Sequence, residues 1–213
     1  MRAISLYDYT GNVLKPWAEA GYECYALDIQ HDNCRKQHFD GGGIIHFMEW
    51  DAFAPDQQWV HDLAAQCGAG FAFTPCTDMA VSGARWFKGK GLRRLAKSIE
   101  MFAVAAEILD NVDGPTMQEN PVSTISTYWR KPDHTFNPHD YTGFCKDDNY
   151  TKKTCLWTNE QFVMPPANTL DLGAPDDRIH KAAPGEERAN FRSATPMGFT
   201  QAVFLSNHQE NNT

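Results

Sequence analysis

The stretch "GFAFTPCTDMAVSGARWF", Gly70 to Phe87, passes from a short apolar run into Thr-Pro-Cys and then into a loop of small residues around Gly83. An apolar run of four or five residues stopped by proline reads as a buried strand. The cysteine at its end is then either a packed small hydrophobe or a nucleophile held on a strand-to-loop turn. Working outward, strand-length apolar runs recur at 3–7, 23–27 and 43–47, and a fifth, at 115–119, ends in an acid. Helical patterns lie between them. Residues 14–20 are closed by Gly21, 55–66 carry Trp59, Val60, Leu63 and Ala64 at helical spacing, and 92–109 carry Leu92, Leu95, Ile99, Phe102, Val104, Ala105 and Ile108. Strands alternating with helices predict an α/β fold with a mainly parallel sheet flanked by helices.

Beyond Pro121 the pattern breaks down. Seven prolines and many Asn and Asp precede Gly198, which predicts loops and short strands laid over the sheet from 121 to 195. One domain, residues 1–206, with a disordered tail at 207–213, suits a chain of 213 residues that is 42% hydrophobic. There is no apolar run of membrane-spanning length and no secretory pattern after Met1, so a cytoplasmic protein that contacts no membrane is expected. The six cysteines include no CxxC pair and no His-Cys cluster, which argues against zinc and for reduced thiols.

The net charge of −8 counts mildly against nucleic acid, yet it is unevenly spread. From Arg85 to Lys97 there are six cations and no acid. Such a run is either a solvated helix face or a phosphate-binding segment, in which Lys88, Lys90, Arg93 and Arg94 are the candidate contacts.

Ligands of open α/β sheets bind beyond the carboxyl ends of the strands. The first run leads into "LYDYTGN", the second ends at Asp28, the fourth in Thr74-Pro75-Cys76 and the fifth in Glu119-Asn120-Pro121. A glycine turn at Gly11 with an acid at Asp28 is the spacing that binds an adenosine, the acid accepting from ribose hydroxyls. On the same strand-end logic Tyr7, Asp8, Thr10, Ile29, Asp51 and Pro75 join the candidate cofactor set. Cys76 and Glu119, on neighbouring strand ends, pair a thiol with a carboxyl group that can serve as an acid.

The ordered set "LYDYTGN", "EAGYECYALDIQ", "WDAF", "FTPCTDMAVSGARWF", "QENP" and "RSATPMGFTQAV" resembles the DNA cytosine-5 methyltransferases, and in its "ENP" the small phage-type members. The resemblance spans nearly the whole chain. It implies a Rossmann-like methyltransferase fold, S-adenosylmethionine as cofactor, DNA as partner, Cys76 as nucleophile, Glu119 as acid, and Arg85 as a cation on the nucleophile's loop. A phage-encoded member would work in its host's cytoplasm. Three features depart from the family pattern: Tyr9 stands where a glycine is usual, the Gln-x-Arg-x-Arg motif has no clean match beyond Arg188 and Arg192, and about 75 residues replace the large target-recognition domain. They leave room for a partner chain in target recognition. They also keep open two other readings, a pyrimidine methyltransferase acting on free nucleotide or RNA, and a nucleic-acid-binding protein of this fold without turnover.

Overall fold

The computed structural model describes residues 1–181 and 188–208. Its order is β1 (Arg2–Leu6), α1 (Lys15–Glu19), β2 (Glu23–Asp28), β3 (Arg35–His38), β4 (Ile44–Glu49), α2 (Gln58–Ala64), β5 (Gly70–Phe73), α3 (Phe87–Lys90), α4 (Leu92–Leu109), β6 (Thr116–Pro121), α5 (Ile125–Tyr128), β7 (His134–Phe136), β8 (Thr154–Thr158), α6 (Arg178–Lys181), α7 (Arg188–Ser193) and α8 (Met197–Asn207). All eight strands form one mixed sheet in the order β3-β4-β2-β1-β5-β6-β8-β7. The five central strands are parallel, while β3 and β8 each run antiparallel to their neighbours. Numbered among themselves, the parallel strands follow the order 3-2-1-4-5, that of a Rossmann-like sheet. The order reverses between β1 and β5, and the crevice beyond their carboxyl ends is where such sheets bind ligands.

Burial explains why the parallel strands read so clearly in the sequence. Ala3 of β1 faces a core with Trp17, Phe71, Phe199 and Val203, while Ile4 and Leu6 face the opposite core with Val60, Ala105 and Ile108. A strand covered on both faces is apolar throughout, without alternation. The helix at 92–109 falls on its predicted residues, with Phe102, Ala105, Ile108 and Leu109 buried; Leu92, assigned to its apolar face, is instead 79% exposed.

The region after Pro121 differs from its expectation. The strands β7 and β8 extend the plane of the sheet as its edge and do not lie over it. Edge strand β3, whose Arg-Lys-Gln-His sequence offers almost no apolar signal, was not anticipated. The C-terminal helix also runs further than expected. Asn207 exchanges two hydrogen bonds with the backbone of Val163, at 2.8 and 2.9 Å, and His208 stacks on Phe204, so the fold continues through residues assigned to the tail. Residues 209–213 of that tail lie outside the described residues. Among the described residues no helix is long and apolar enough to cross a membrane, and all six cysteines are free.

Candidate active site

The turn after β1 is built around one carboxylate. Asp8 is buried and accepts hydrogen bonds from Ser5 Oγ at 2.8 Å, Thr10 Oγ1 at 3.1 Å and the Gly11 amide at 2.7 Å. Burial pushes its carboxyl above the usual range, and these three donors pull it back. Both of its oxygens are engaged in shaping the turn. Gly11 has φ 65°, and a Cβ there would come within 2.8 Å of the Phe47 ring, so only glycine fits. Tyr7 also has a positive φ of 54°, with its ring against Trp50 and its hydroxyl donating to the Met101 carbonyl at 2.9 Å. Tyr9 stands at the rim, 43% exposed, and stacks on His31, whose Nε2 lies 3.2 Å from the Asp8 carbonyl.

The next two strand ends are more open to a ligand. The Oδ1 of Asp28 accepts from the Gln30 amide at 2.8 Å and from Gln30 Nε2 at 3.2 Å, while Oδ2 takes part in no hydrogen bond among the described residues. Beside it Ile29 is 60% exposed. Asp51, just past β4, is exposed, and its Oδ1 caps the Phe53 amide at 2.9 Å. This strand end thus places a carboxylate oxygen next to an exposed aliphatic side chain. Pro75 is exposed across the switch point.

Glu119 and Cys76 meet because β5 and β6 are in register. Phe73 sits opposite Glu119, and Cys76 follows three residues beyond the strand. The Asn of Glu-Asn-Pro fixes this geometry: Asn120 Nδ2 donates to the Thr74 carbonyl at 2.9 Å, while Gln118 Nε2 reaches Thr74 Oγ1, also at 2.9 Å. Both side chains lock the strand end that carries Cys76. The chain then turns tightly, the amides of Met79 and Ala80 donating to the Cys76 carbonyl.

The acid itself is left unsatisfied. Glu119 is 9% exposed, its Oε1 has no hydrogen-bond partner among the described residues, and a cation, Lys152 Nζ, lies 4.0 Å away, beyond hydrogen-bonding distance. Burial raises its carboxyl above the usual carboxylate range, against a smaller opposing pull from Lys152. The thiol of Cys76 is raised by burial and by the Glu119 charge, and lowered by Lys152 and Arg192. Protonating Glu119 removes the charge that, among the described residues, opposes thiolate formation. Burial thus holds both groups toward their neutral forms, and Lys152 and Arg192 pull the thiol back toward the thiolate. Two further buried polar atoms nearby lack partners among the described residues, Asn120 Oδ1 and Arg192 Nε. A small cavity here is lined by Glu119 with Phe73, Phe136, Phe199, Lys152 and Thr195.

Arg85 does not join this group. It is exposed, with its guanidinium 5.0 Å from the Trp86 ring, and the cations that act on the thiol are Lys152 and Arg192. Arg192 had been noted in the sequence as a possible substitute for the missing arginine motif; the side chain of Arg188 lies outside the described residues. Lys152 was missed. Its signal was the apolar run Thr154–Thr158 just after Lys152-Lys153, which as a strand carries the lysine to the neighbouring strand end.

The basic segment divides in two. Lys90 Nζ and Arg94 Nη2 bind the Asp78 carboxylate at 2.9 and 3.1 Å, tying the Cys76 loop to α3 and α4. Lys88 and Arg93 are exposed and make no ion pair among the described residues. No protein-family model and no curated protein sequence matches this chain.

Proposed function

We propose that this chain is an S-adenosylmethionine-dependent methyltransferase acting on carbon 5 of cytosine in DNA through a covalent cysteine adduct. The observation that carries the reading is Glu119: a buried carboxyl whose Oε1 has no hydrogen-bond partner among the described residues, raised by its surroundings, and acting on the thiol of Cys76. An unpaired buried acid costs folding free energy, and such groups concentrate at sites that use them.

Cytosine carbon 5 is a weak nucleophile, so the ring must first be activated. The Cys76 thiolate adds to carbon 6, forming a sulfur–carbon bond and breaking the carbon 5–carbon 6 π bond, while ring nitrogen 3 takes the proton of Glu119 and leaves it a carboxylate. Lys152 and Arg192 favour the thiolate, and Lys152 acts on Glu119 as well. Carbon 5 thereby becomes enamine-like. S-adenosylmethionine, held through Asp28 and Ile29, would supply the electrophilic methyl group that carbon 5 takes. Loss of the carbon-5 proton to water then expels the Cys76 thiolate from carbon 6, and ring nitrogen 3 returns its proton to Glu119, which restores the aromatic ring and the starting acid. A base inside a duplex cannot reach Cys76 and has to be flipped out or already unpaired.

Tyr9, stacked on His31 at the cofactor rim, favours a second reading in which the fold binds nucleic acid without turnover. Incubation with tritiated S-adenosylmethionine and DNA, RNA or dCMP in parallel separates the possibilities. Label in DNA is the expected result. Label in RNA or dCMP moves the substrate, and label in none of them leaves the binding protein.

A further inference from the structure

The two segments leaving the catalytic pair carry exposed aromatic rings next to cations. After Cys76 the chain forms a short 3-10 helix, Val81–Trp86, and Trp86 ends it 60% exposed, with Arg85 over its ring at 5.0 Å. After Glu119 and Pro121 it forms α5 and then Trp129; Tyr128 is 67% and Trp129 55% exposed, with Arg130 over the Trp129 ring at 4.6 Å. The segments are joined where they begin, by a bridge between Ala80 and Ser123 and by the Val81 amide donating to the Val122 carbonyl at 2.9 Å. Lys88 and Arg93 add exposed cations on the Cys76 side.

Large aromatic rings left in water cost free energy unless something covers them. The covering partner has to be anionic, since Arg85, Lys88 and Arg93 make no ion pair among the described residues, although Arg130 pairs with Asp133 and the chain as a whole carries −8. It also needs flat faces free to stack. Unpaired bases offer such faces and a duplex does not, because its bases already stack on one another. Building on the methyltransferase reading, we infer that this surface is a stacking platform for single-stranded DNA, whose strand passes from Trp86 to Tyr128 and Trp129 across the Cys76–Glu119 pair. Phosphates lie against Arg85, Lys88 and Arg93, and the target base enters without duplex opening. The platform does in part what a large recognition domain does elsewhere, holding the strand by its bases without reading them.

The test is fluorescence anisotropy of the full chain, without cofactor, against a labelled oligo-dT of about 20 nucleotides, the same length of oligo-U, and a hairpin duplex. Single-stranded DNA is expected to bind at least tenfold more tightly than the duplex and to quench tryptophan fluorescence. Trp86→Ala, far from the core, should weaken it about tenfold and Trp86→Phe much less, while Arg93→Ala lowers the salt slope by somewhat under one. Thermal melting of each variant shows that the fold is kept. Equal or tighter duplex binding, or unchanged binding by Trp86→Ala, overturns the inference, and tighter oligo-U binding overturns its DNA part. The two readings fail separately. Ring-dependent binding of single strands with no methyl transfer sinks the proposed function alone, and methyl transfer to DNA with no preference for single strands sinks the platform alone.

Discussion

Asp8 and Glu119 are the same kind of group in the same kind of place. Each is a buried carboxyl at the carboxyl-terminal edge of the sheet, and burial raises both. Asp8 receives three hydrogen bonds and has become structure. Glu119 receives none at Oε1 and faces a cavity with a cation 4.0 Å away. The difference teaches where chemistry can reside. A satisfied acid defines a turn, whereas an unsatisfied one keeps its proton and its lone pairs for a ligand.

The comparison breaks most visibly if Asp8 is removed. Asp8→Ala leaves the Gly11 amide and the Ser5 and Thr10 hydroxyls without their acceptor, and should cost about 2–4 kcal/mol of stability, read as a lower denaturant midpoint at unchanged slope. A loss of under about 0.5 kcal/mol would show that the turn does not depend on this carboxylate.

A smaller effect sharpens the other side. If Lys152 holds down the Cys76 thiol, Lys152→Gln should slow alkylation of Cys76 at neutral pH by about tenfold, followed on its own peptide by mass spectrometry. Arg85→Ala should leave that rate unchanged. The reverse order would restore Arg85 to the site.

The smallest effect is one of pH. The Glu119 carboxyl is raised in the folded chain, so the stability tied to its neutral form is fully present below the ordinary carboxylate pKa and is lost as pH rises through the raised value. Glu119→Gln stays neutral throughout. Its melting temperature relative to wild type should therefore rise by a few degrees between pH 4 and pH 8. A difference that is flat with pH would mean that Glu119 is not raised.

The parallel strands and the helix at 92–109 were legible because two-sided burial and a 3.6-residue period leave continuous apolar patterns. Cys76 and Glu119 were legible because both stand at strand ends. Edge strands β3 and β7 were hidden, since a short strand with an exposed face needs few apolar residues. Lys152 and Arg192 reach the site from distant parts of the chain, one beside β8 and one on α7, and no spacing rule connects them to Cys76. Arg85 shows the converse error, where proximity in sequence on the Cys76 loop stood in for proximity in space.

The central claim is that Cys76 bonds to a cytosine with Glu119 as its acid. DNA carrying 5-fluorocytosine tests it directly, because fluorine at carbon 5 blocks the elimination that would release the enzyme. With S-adenosylmethionine present, wild-type protein should form an adduct that survives denaturing electrophoresis, Glu119→Gln should form it more slowly while still binding S-adenosylhomocysteine, and Cys76→Ser should form none. The absence of any adduct with wild type on single-stranded or duplex DNA, or an equal yield from Cys76→Ser, would contradict the covalent mechanism.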